Sequence, residues 1–339
     1  MAATEKLFGY NKVYCQGRFI SGPDGKSCVV SLLMILVPSI LWQIQPGVFY
    51  ARRYTVVISL LAGCLGIACL ALLVATAFSD PGIMPRQQDW QEQFDERTQT
   101  KRSKQPQRYY EIVLRGHPFK VKWCSTCNIY RPPRCTHCSV CENCIERFDH
   151  HCPWIGNCIG RRNYWLFYSF VMCTGAINTF VLITSAVHLG VLTTEHGDRG
   201  HEGLEAFLEA LGSAPLSATL VVYCVLIVWF TVGLCMYHNY LVSTNQTTYE
   251  QIKGVYSSGH NPFHRGILGN YQDILFSPVR PRFFNAFTME MVWPKVKSEF
   301  TQELKSLAGD AGIDGSEAGR KGGFSTLSPA PAIAGHGRM

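Results

Sequence analysis

The chain has 339 residues, 47% of them hydrophobic and only 16% charged, where an ordinary soluble domain carries about 25% charged residues. That deficit points to lipid and argues against a chain made only of soluble domains. The formal net charge of +7, from 31 Lys+Arg against 24 Asp+Glu, suits loops on the cytosolic side of a membrane or contact with phosphates and anionic lipid heads.

Residues 1–28 form a polar segment with scattered aromatics, without the charged start, apolar stretch and small-residue cleavage site of a signal peptide. Four apolar runs follow, each long enough for the roughly 20 residues that a membrane helix needs. The first extends from Val29 to Phe49 and is interrupted by Pro38, Gln43 and Gln45. The second extends from Tyr54 to Phe78, the third from Tyr164 to Leu192 and the fourth from Leu216 to Val242. None contains Asp, Glu, Lys or Arg, so nothing in them marks the ion pathway of a transporter. Fourteen Lys and Arg lie in 79–163, whereas the loop 193–213 holds only Arg199 against five acidic residues. The bias predicts that 79–163 and both termini face the cytosol and that 193–213 is lumenal. Arg52 and Arg53, in the turn between the first two spans, run against it.

Within the cytosolic segment, 79–108 reads as a linker and 109–163 as a cysteine module. Residues 243–306 are mixed in character, and 307–339 are rich in Gly, Ala and Ser and predicted to be disordered. Of 15 cysteines, eight lie between Cys124 and Cys158. The Cys-x2-Cys pairs Cys124/Cys127, Cys138/Cys141 and Cys141/Cys144 suit tetrahedral zinc, and cytosolic thiols stay reduced rather than forming disulfides. Two zinc sites need eight ligands, and the module offers eight cysteines with His137, His150 and His151, three groups too many. Spacing alone leaves the spare groups open. Setting aside Cys135, Cys152 and one of His150 and His151 leaves two Cys3His sites. A spare Cys152 beside His150 and Asp149 has the makings of a nucleophile, a base and an orienting carboxylate.

The module resembles the cysteine-rich domain of the DHHC-family protein S-acyltransferases, the palmitoyltransferases. The likeness runs through Cys124, Cys127, Arg131, Pro132, Arg134, His137, Cys138, Cys141, Cys144, the core Asp149-His150-His151-Cys152-Pro153-Trp154, Asn157-Cys158, Gly160 and Asn163-Tyr164. Asp80-Pro81-Gly82, Thr247-Thr248-Tyr249-Glu250 and Asn261-Pro262-Phe263 extend it outside the module. The resemblance implies an all-α polytopic membrane protein with four transmembrane helices and a small two-zinc domain between helices 2 and 3. It implies one zinc on Cys124, Cys127, His137 and Cys144, a second on Cys138, Cys141, His151 and Cys158, and a catalytic set of Cys152, His150 and Asp149. Cys135 stays unassigned.

The implied reaction has two steps: Cys152 takes the acyl chain from a long-chain acyl-CoA, palmitoyl-CoA in particular, and passes it to a cysteine of a membrane-associated protein. Arg131, Arg134 and Trp154 are expected contacts for acyl-CoA, the arginines through its phosphates or as counter-charges to the zinc thiolates. Ile177 is expected near the end of the acyl chain. Gly17-Arg18 with Gly22-Pro23-Asp24 is similar to the branch that acylates Ras-type GTPases with an accessory subunit, and the Golgi is the expected membrane, with the ER or plasma membrane as alternatives. Nucleic acid is not an expected partner, because the basic residues form no dense stripe with interleaved aromatics.

Overall fold

The computed structural model describes residues 9–86, 94–95, 100–101, 108–114, 117–257, 259, 261–279 and 282–283. Most of the expected linker over 79–108 and the whole of the expected tail over 307–339 lie outside the described residues. The chain opens with a hairpin of β1 (Lys12–Tyr14) and β2 (Phe19–Ser21), and α1 (Gly25–Trp42) follows. A π turn at Gln43–Gly47 carries α1 into α2 (Val48–Arg53), and α3 (Val56–Ala77) completes the first pair of spans. Between them and α4 (Tyr164–Asp198) the described residues form nine short strands. These are β3 (Phe94–Asp95), β4 (Thr100–Lys101), β5 (Tyr109–Leu114), β6 (His117–Cys124), β7 (Ile129–Tyr130), β8 (Thr136–Cys138), β9 (Asn143–Ile145), β10 (His150–Cys152) and β11 (Asn157–Ile159). After α4 come α5 (Leu204–Ser213), α6 (Pro215–Thr244), α7 (Thr248–Ile252) and α8 (Ile267–Tyr271).

Gly25–Arg53, Val56–Ala77, Tyr164–Asp198 and Pro215–Thr244 are long and apolar enough to cross a membrane, so the four expected spans are present. Two differ from their apolar runs. The first is longer at both ends, and a π turn at Gln43–Gly47 carries it past Pro46. The two glutamines that interrupted the apolar pattern bind other spans. Gln43 donates to the Ser59 carbonyl at 2.9 Å, and the Gln45 side chain accepts from the amides of Leu216 and Ser217 at 2.9 and 3.1 Å. The third span continues to Asp198, so the expected loop 193–213 is largely helical, with α5 filling its second half.

Apolar burial gives little advantage between helices in lipid, so packing and polar contacts hold the bundle. Trp42 Nε1 donates to Thr184 Oγ1 at 2.9 Å, Tyr50 OH to the Thr184 carbonyl at 2.8 Å, and Asn178 Nδ2 to Thr231 Oγ1 at 3.3 Å. Trp229, Leu226 and Ile67 point outward and are strongly exposed, as lipid-facing side chains would be. The cysteine module is a chain of small antiparallel hairpins on the ends of this bundle. Asp80 joins the two parts. Its Oδ1 accepts from the amides of Gly82 and Ile83 at 2.8 and 3.0 Å, and its Oδ2 lies 3.1 Å from Arg162 Nε, just before α4.

Candidate active site and metal clusters

Two hairpins explain how the cysteines are sorted. In β8–β9, His137 pairs with Cys144 and Cys138 with Asn143; in β10–β11, His151 pairs with Cys158 and Cys152 with Asn157. Side chains alternate across a strand, so His137 and Cys144 leave one face and Cys138 the other. By the same rule His150 and Cys152 share a face and His151 takes the opposite one. Two four-residue clusters result: Cys124, Cys127, His137 and Cys144, and Cys138, Cys141, His151 and Cys158. Each member of the second lies 14 residues after its counterpart in the first. The turns repeat with them: Asn128, Glu142 and Gly156, at the same interval, have φ of 52°, 54° and 73°. The same step carries Cys138 to Cys152 and Cys141 to Ile155. Cys152 thus occupies the first-ligand position of a third repeat whose second thiol is replaced by a buried isoleucine.

Within each cluster the ligand atoms lie within 4.8 Å of one another. His137 Nδ1 is 3.5, 3.5 and 3.8 Å from the sulfurs of Cys124, Cys127 and Cys144. His151 Nδ1 is 3.8, 3.4 and 3.5 Å from those of Cys138, Cys141 and Cys158. Tetrahedral zinc, with Zn–S of about 2.3 Å and Zn–N of about 2.0–2.1 Å, needs N···S edges of about 3.6 Å. The donor sets fit one such ion each. Cys135 packs beside Cys124, Cys127 and Cys144 without joining their cluster.

Cys152 is buried where the ends of all four spans meet. Its apolar surroundings include Leu32 of α1, Leu73 and Ala77 of α3, Tyr164, Phe167 and Val171 of α4, and Val242 of α6. On the same face, His150 Nδ1 lies 2.7 Å from Asp149 Oδ2. Thr248 holds that carboxylate from the other side: its Oγ1 donates to Oδ2 at 2.7 Å and its amide to Oδ1 at 2.9 Å. The Tyr249 amide donates to the Asp149 carbonyl at 3.1 Å. Burial opposes charge on Asp149, but the His150 contact and the Thr248 amide outweigh it and hold the carboxyl below its usual range. Burial also opposes charge on His150. Its bonds to Asp149 and to the Cys152 sulfur prevail, and its pKa is pushed up to about 10. With Nδ1 committed to a carboxylate, Nε2 is the nitrogen left for the thiol.

The DHHC palmitoyltransferase family model matches residues 117–255. The chain is also 37% identical over 284 residues to mouse palmitoyltransferase ZDHHC18, covering 80% of this chain and 72% of that one. The chain belongs to the DHHC palmitoyltransferase family. Two further relatives, both from Arabidopsis thaliana, are probable protein S-acyltransferase 7 and protein S-acyltransferase 8. The first is 36% identical over 352 residues, 97% of this chain and 75% of that one; the second is 38% identical over 309 residues, 85% and 74%. The protein is accordingly a membrane-embedded protein S-palmitoyltransferase.

Other residues singled out in this palmitoyltransferase sequence fall in several places. Trp154 is half exposed, and its carbonyl accepts from Ser31 Oγ of α1 at 2.7 Å. Ile177 is buried in the bundle with Trp42, Cys69 and Val181. Arg131 is partly buried, with its Nε atom in no hydrogen bond. Arg134 calls for a correction. Its side chain is only 7% exposed and donates to Glu250 Oε1 and Oε2 at 2.8 and 2.7 Å and to Asn245 Oδ1 and O at 2.9 and 3.0 Å. A guanidinium so committed anchors the C-terminal segment and is not free to meet a phosphate. Asn245, which opens an Asn-Gln-Thr glycosylation sequence, is fully buried at the end of α6 in a left-handed conformation with φ of 49°. His238 gave no sequence signal, because it belongs to no local motif, and Asp24 was singled out only within Gly22-Pro23-Asp24, with no role of its own. His238 of α6 contacts Tyr164 OH at 3.1 Å, and its ring centre lies 6.3 Å from that of His150.

Proposed function

We propose that this palmitoyltransferase works in two steps through Cys152, with acyl-CoA as donor and Asp149, His150 and Cys152 as the catalytic set. The observation that carries this is the meeting of a buried cysteine, a carboxylate-held histidine and the ends of four spans at one point. In the first step the Cys152 proton is held on His150 Nε2 and the sulfur attacks the thioester carbonyl as the thiolate. An S–C bond forms at Cys152, the C–S bond to CoA breaks, and the departing CoA thiolate receives the proton from His150. In the second step a substrate cysteine gives its proton to His150. Its sulfur attacks the acyl carbon, and Cys152 departs as the thiolate beside the protonated His150. Asp149 fixes the imidazole and stabilises its charged form; Thr248 fixes Asp149.

The two clusters would hold zinc, the ion favoured by three thiolates and an imidazole. Each offers four protein ligands and no open position for a substrate, so zinc would supply rigidity to the strand bearing Cys152. The acyl tail would lie among the spans and the CoA at the cytosolic face, with Arg131 meeting its phosphates. An extended 16-carbon chain is about 20 Å long, roughly 13 helical residues at about 1.5 Å each. Counted from Tyr164, it ends near Ile177, which would limit chain length.

The Lys/Arg bias supports cytosolic termini, and Arg53, which runs against it, lies 3.3 Å from Glu195 at the opposite end of the bundle. The resemblance supports a Golgi membrane, substrate proteins with membrane-proximal cysteines, Ras-type GTPases among them, and an accessory subunit.

The test is direct. Purified protein incubated with radiolabelled palmitoyl-CoA should carry a hydroxylamine-sensitive adduct on Cys152. Cys152→Ser should lose the label and keep two zinc ions. An adduct mapped to another cysteine would sink the assignment.

A further inference from the structure

The histidines of the two clusters are used alike. Each turns Nδ1 to its sulfurs and leaves Nε2 facing outward toward a carboxylate. For His137 that carboxylate is Glu142, in the same hairpin, at a loose 3.7 Å. For His151 it is Asp24, at 2.9 Å, which comes from outside the module, 127 residues away in sequence. A carboxylate on the far nitrogen of a ligating histidine fixes the tautomer and the ring orientation and raises its basicity as a ligand.

The segment that carries Asp24 is built into the second cluster. The Tyr10 amide donates to the Cys141 carbonyl at 3.0 Å. Ile20 is fully buried in a core shared with Cys138, Cys141 and Cys158. Asn157 Nδ2 reaches the carbonyls of Ile20, Ala77 and Ser79 at 3.2, 3.1 and 3.0 Å. Gly156 explains how Asp24 gets so close. A Cβ there would stand 2.8 Å from the Asp24 carbonyl oxygen, and a Cβ on Gly22 would collide with the Gly156 carbonyl. Two residues that meet through bare backbone place Asp24 beside both His151 and the turn that follows Cys152.

We propose that Asp24 is a positioning residue that completes the second metal site by holding His151 in its ligating orientation. The N-terminal segment thereby becomes part of the structure that fixes the strand His150–Cys152. Asp24 lies outside the residues 117–255 that match the family model. The proposal rests on the reading that each cluster holds zinc.

The experiment measures zinc per chain in the full-length protein after dialysis against graded concentrations of a zinc chelator. Wild type should retain two ions. Asp24→Ala should release one of them at chelator concentrations about 10- to 100-fold lower, the usual loss when such a partner is removed, and keep the other at the wild-type level. Asp24→Asn is isosteric and retains an oxygen acceptor, so it should fold and fall between the two. Ser31→Ala removes a neighbouring contact of the same segment with Trp154 and should keep both ions. The proposal is overturned if Asp24→Ala and Asp24→Asn match wild type, or if Ser31→Ala loses the ion as readily as Asp24→Ala does. Wild type with fewer than two zinc ions per chain would overturn the zinc reading, independently of Asp24. Self-acylation should slow alongside the ion loss in Asp24→Ala, and Asp24→Asn should rescue it in part.

Discussion

Thr248 contacts Asp149 twice, through its hydroxyl at 2.7 Å and its amide at 2.9 Å. Only the first contact depends on the side chain, so Thr248→Val separates the two. A hydrogen bond to a charged group is worth about 1.5–3 kcal/mol, and about 1.4 kcal/mol is tenfold in rate. Thr248→Val should therefore slow self-acylation of Cys152 about tenfold or more, with zinc content unchanged, in a single-turnover labelling assay. Equal rates would mean that the amide alone orients the carboxylate. At this scale the local constellation was readable, since Asp149, His150 and Cys152 fall within four consecutive residues. The sequence could not reveal that the Asp149 carboxylate is held by Thr248, or that Arg134 is consumed by Glu250, because those pairings span roughly a hundred residues. Ile177 is buried beside Trp42, and its Cδ1 is 3.7 Å from where a Cβ on Gly66 would stand. A larger side chain there would shorten the proposed acyl path. Ile177→Trp should shift the preference among acyl-CoA donors toward shorter chains; an unchanged preference in competition labelling removes Ile177 from that role.

The hairpins carry the logic of the next scale. The 14-residue step lies in the spacing of Cys124, Cys127, His137 and Cys144 against Cys138, Cys141, His151 and Cys158, though only the paired Cys-x2-Cys spacings stood out in the sequence. It becomes compelling only when the left-handed residues Asn128, Glu142 and Gly156 fall on the same step. Strand alternation then separates His150 from His151, a choice that ligand counting left open. The short helix α7 depends on a pairing of the same reach. Thr247 and Glu250 cap it reciprocally, with amide-to-side-chain bonds of 2.9 and 3.1 Å, while Glu250 binds Arg134. Burial disfavours the Glu250 carboxylate, but Arg134 overrides it and holds the group below its ordinary range. The pairing contributes stability above the unfolded-state value of about 4.3 and loses it as pH falls through the lower folded value. Glu250→Gln should remove this acid-sensitive component. It should also destabilise the protein at neutral pH by about 3–5 kcal/mol, because Arg134 is left buried without its partner. Melting temperatures in detergent across the acid range would measure both effects.

Across the whole molecule, the four spans were readable from apolar length, and their ends were not. Pro46 and the two glutamines looked like defects in the first span, yet a π turn absorbs the proline and the glutamines cap or bind neighbouring helices. The same contacts draw that end of the bundle together around residues 43–59 and 184–217, where His188 bonds Ser217 at 2.8 Å. Arg53 belongs to this end, and its partner Glu195 sits at the acidic end of α4. In the proposed orientation that end is lumenal, and Glu195 would offset Arg53 there across two spans. The proposed cytosolic placement of the opposite end would keep the eight clustered thiols reduced and Cys152 within reach of the proposed acyl-CoA donor, so orientation and chemistry are tested together. An Asn-x-Thr acceptor engineered into the turn Gly200–Gly203 should therefore gain an endoglycosidase-sensitive glycan in a membrane-bound expression system. One engineered into 307–339 should not. Glycan on the second and none on the first would reverse the topology, and would put the thiols in a compartment where they oxidise.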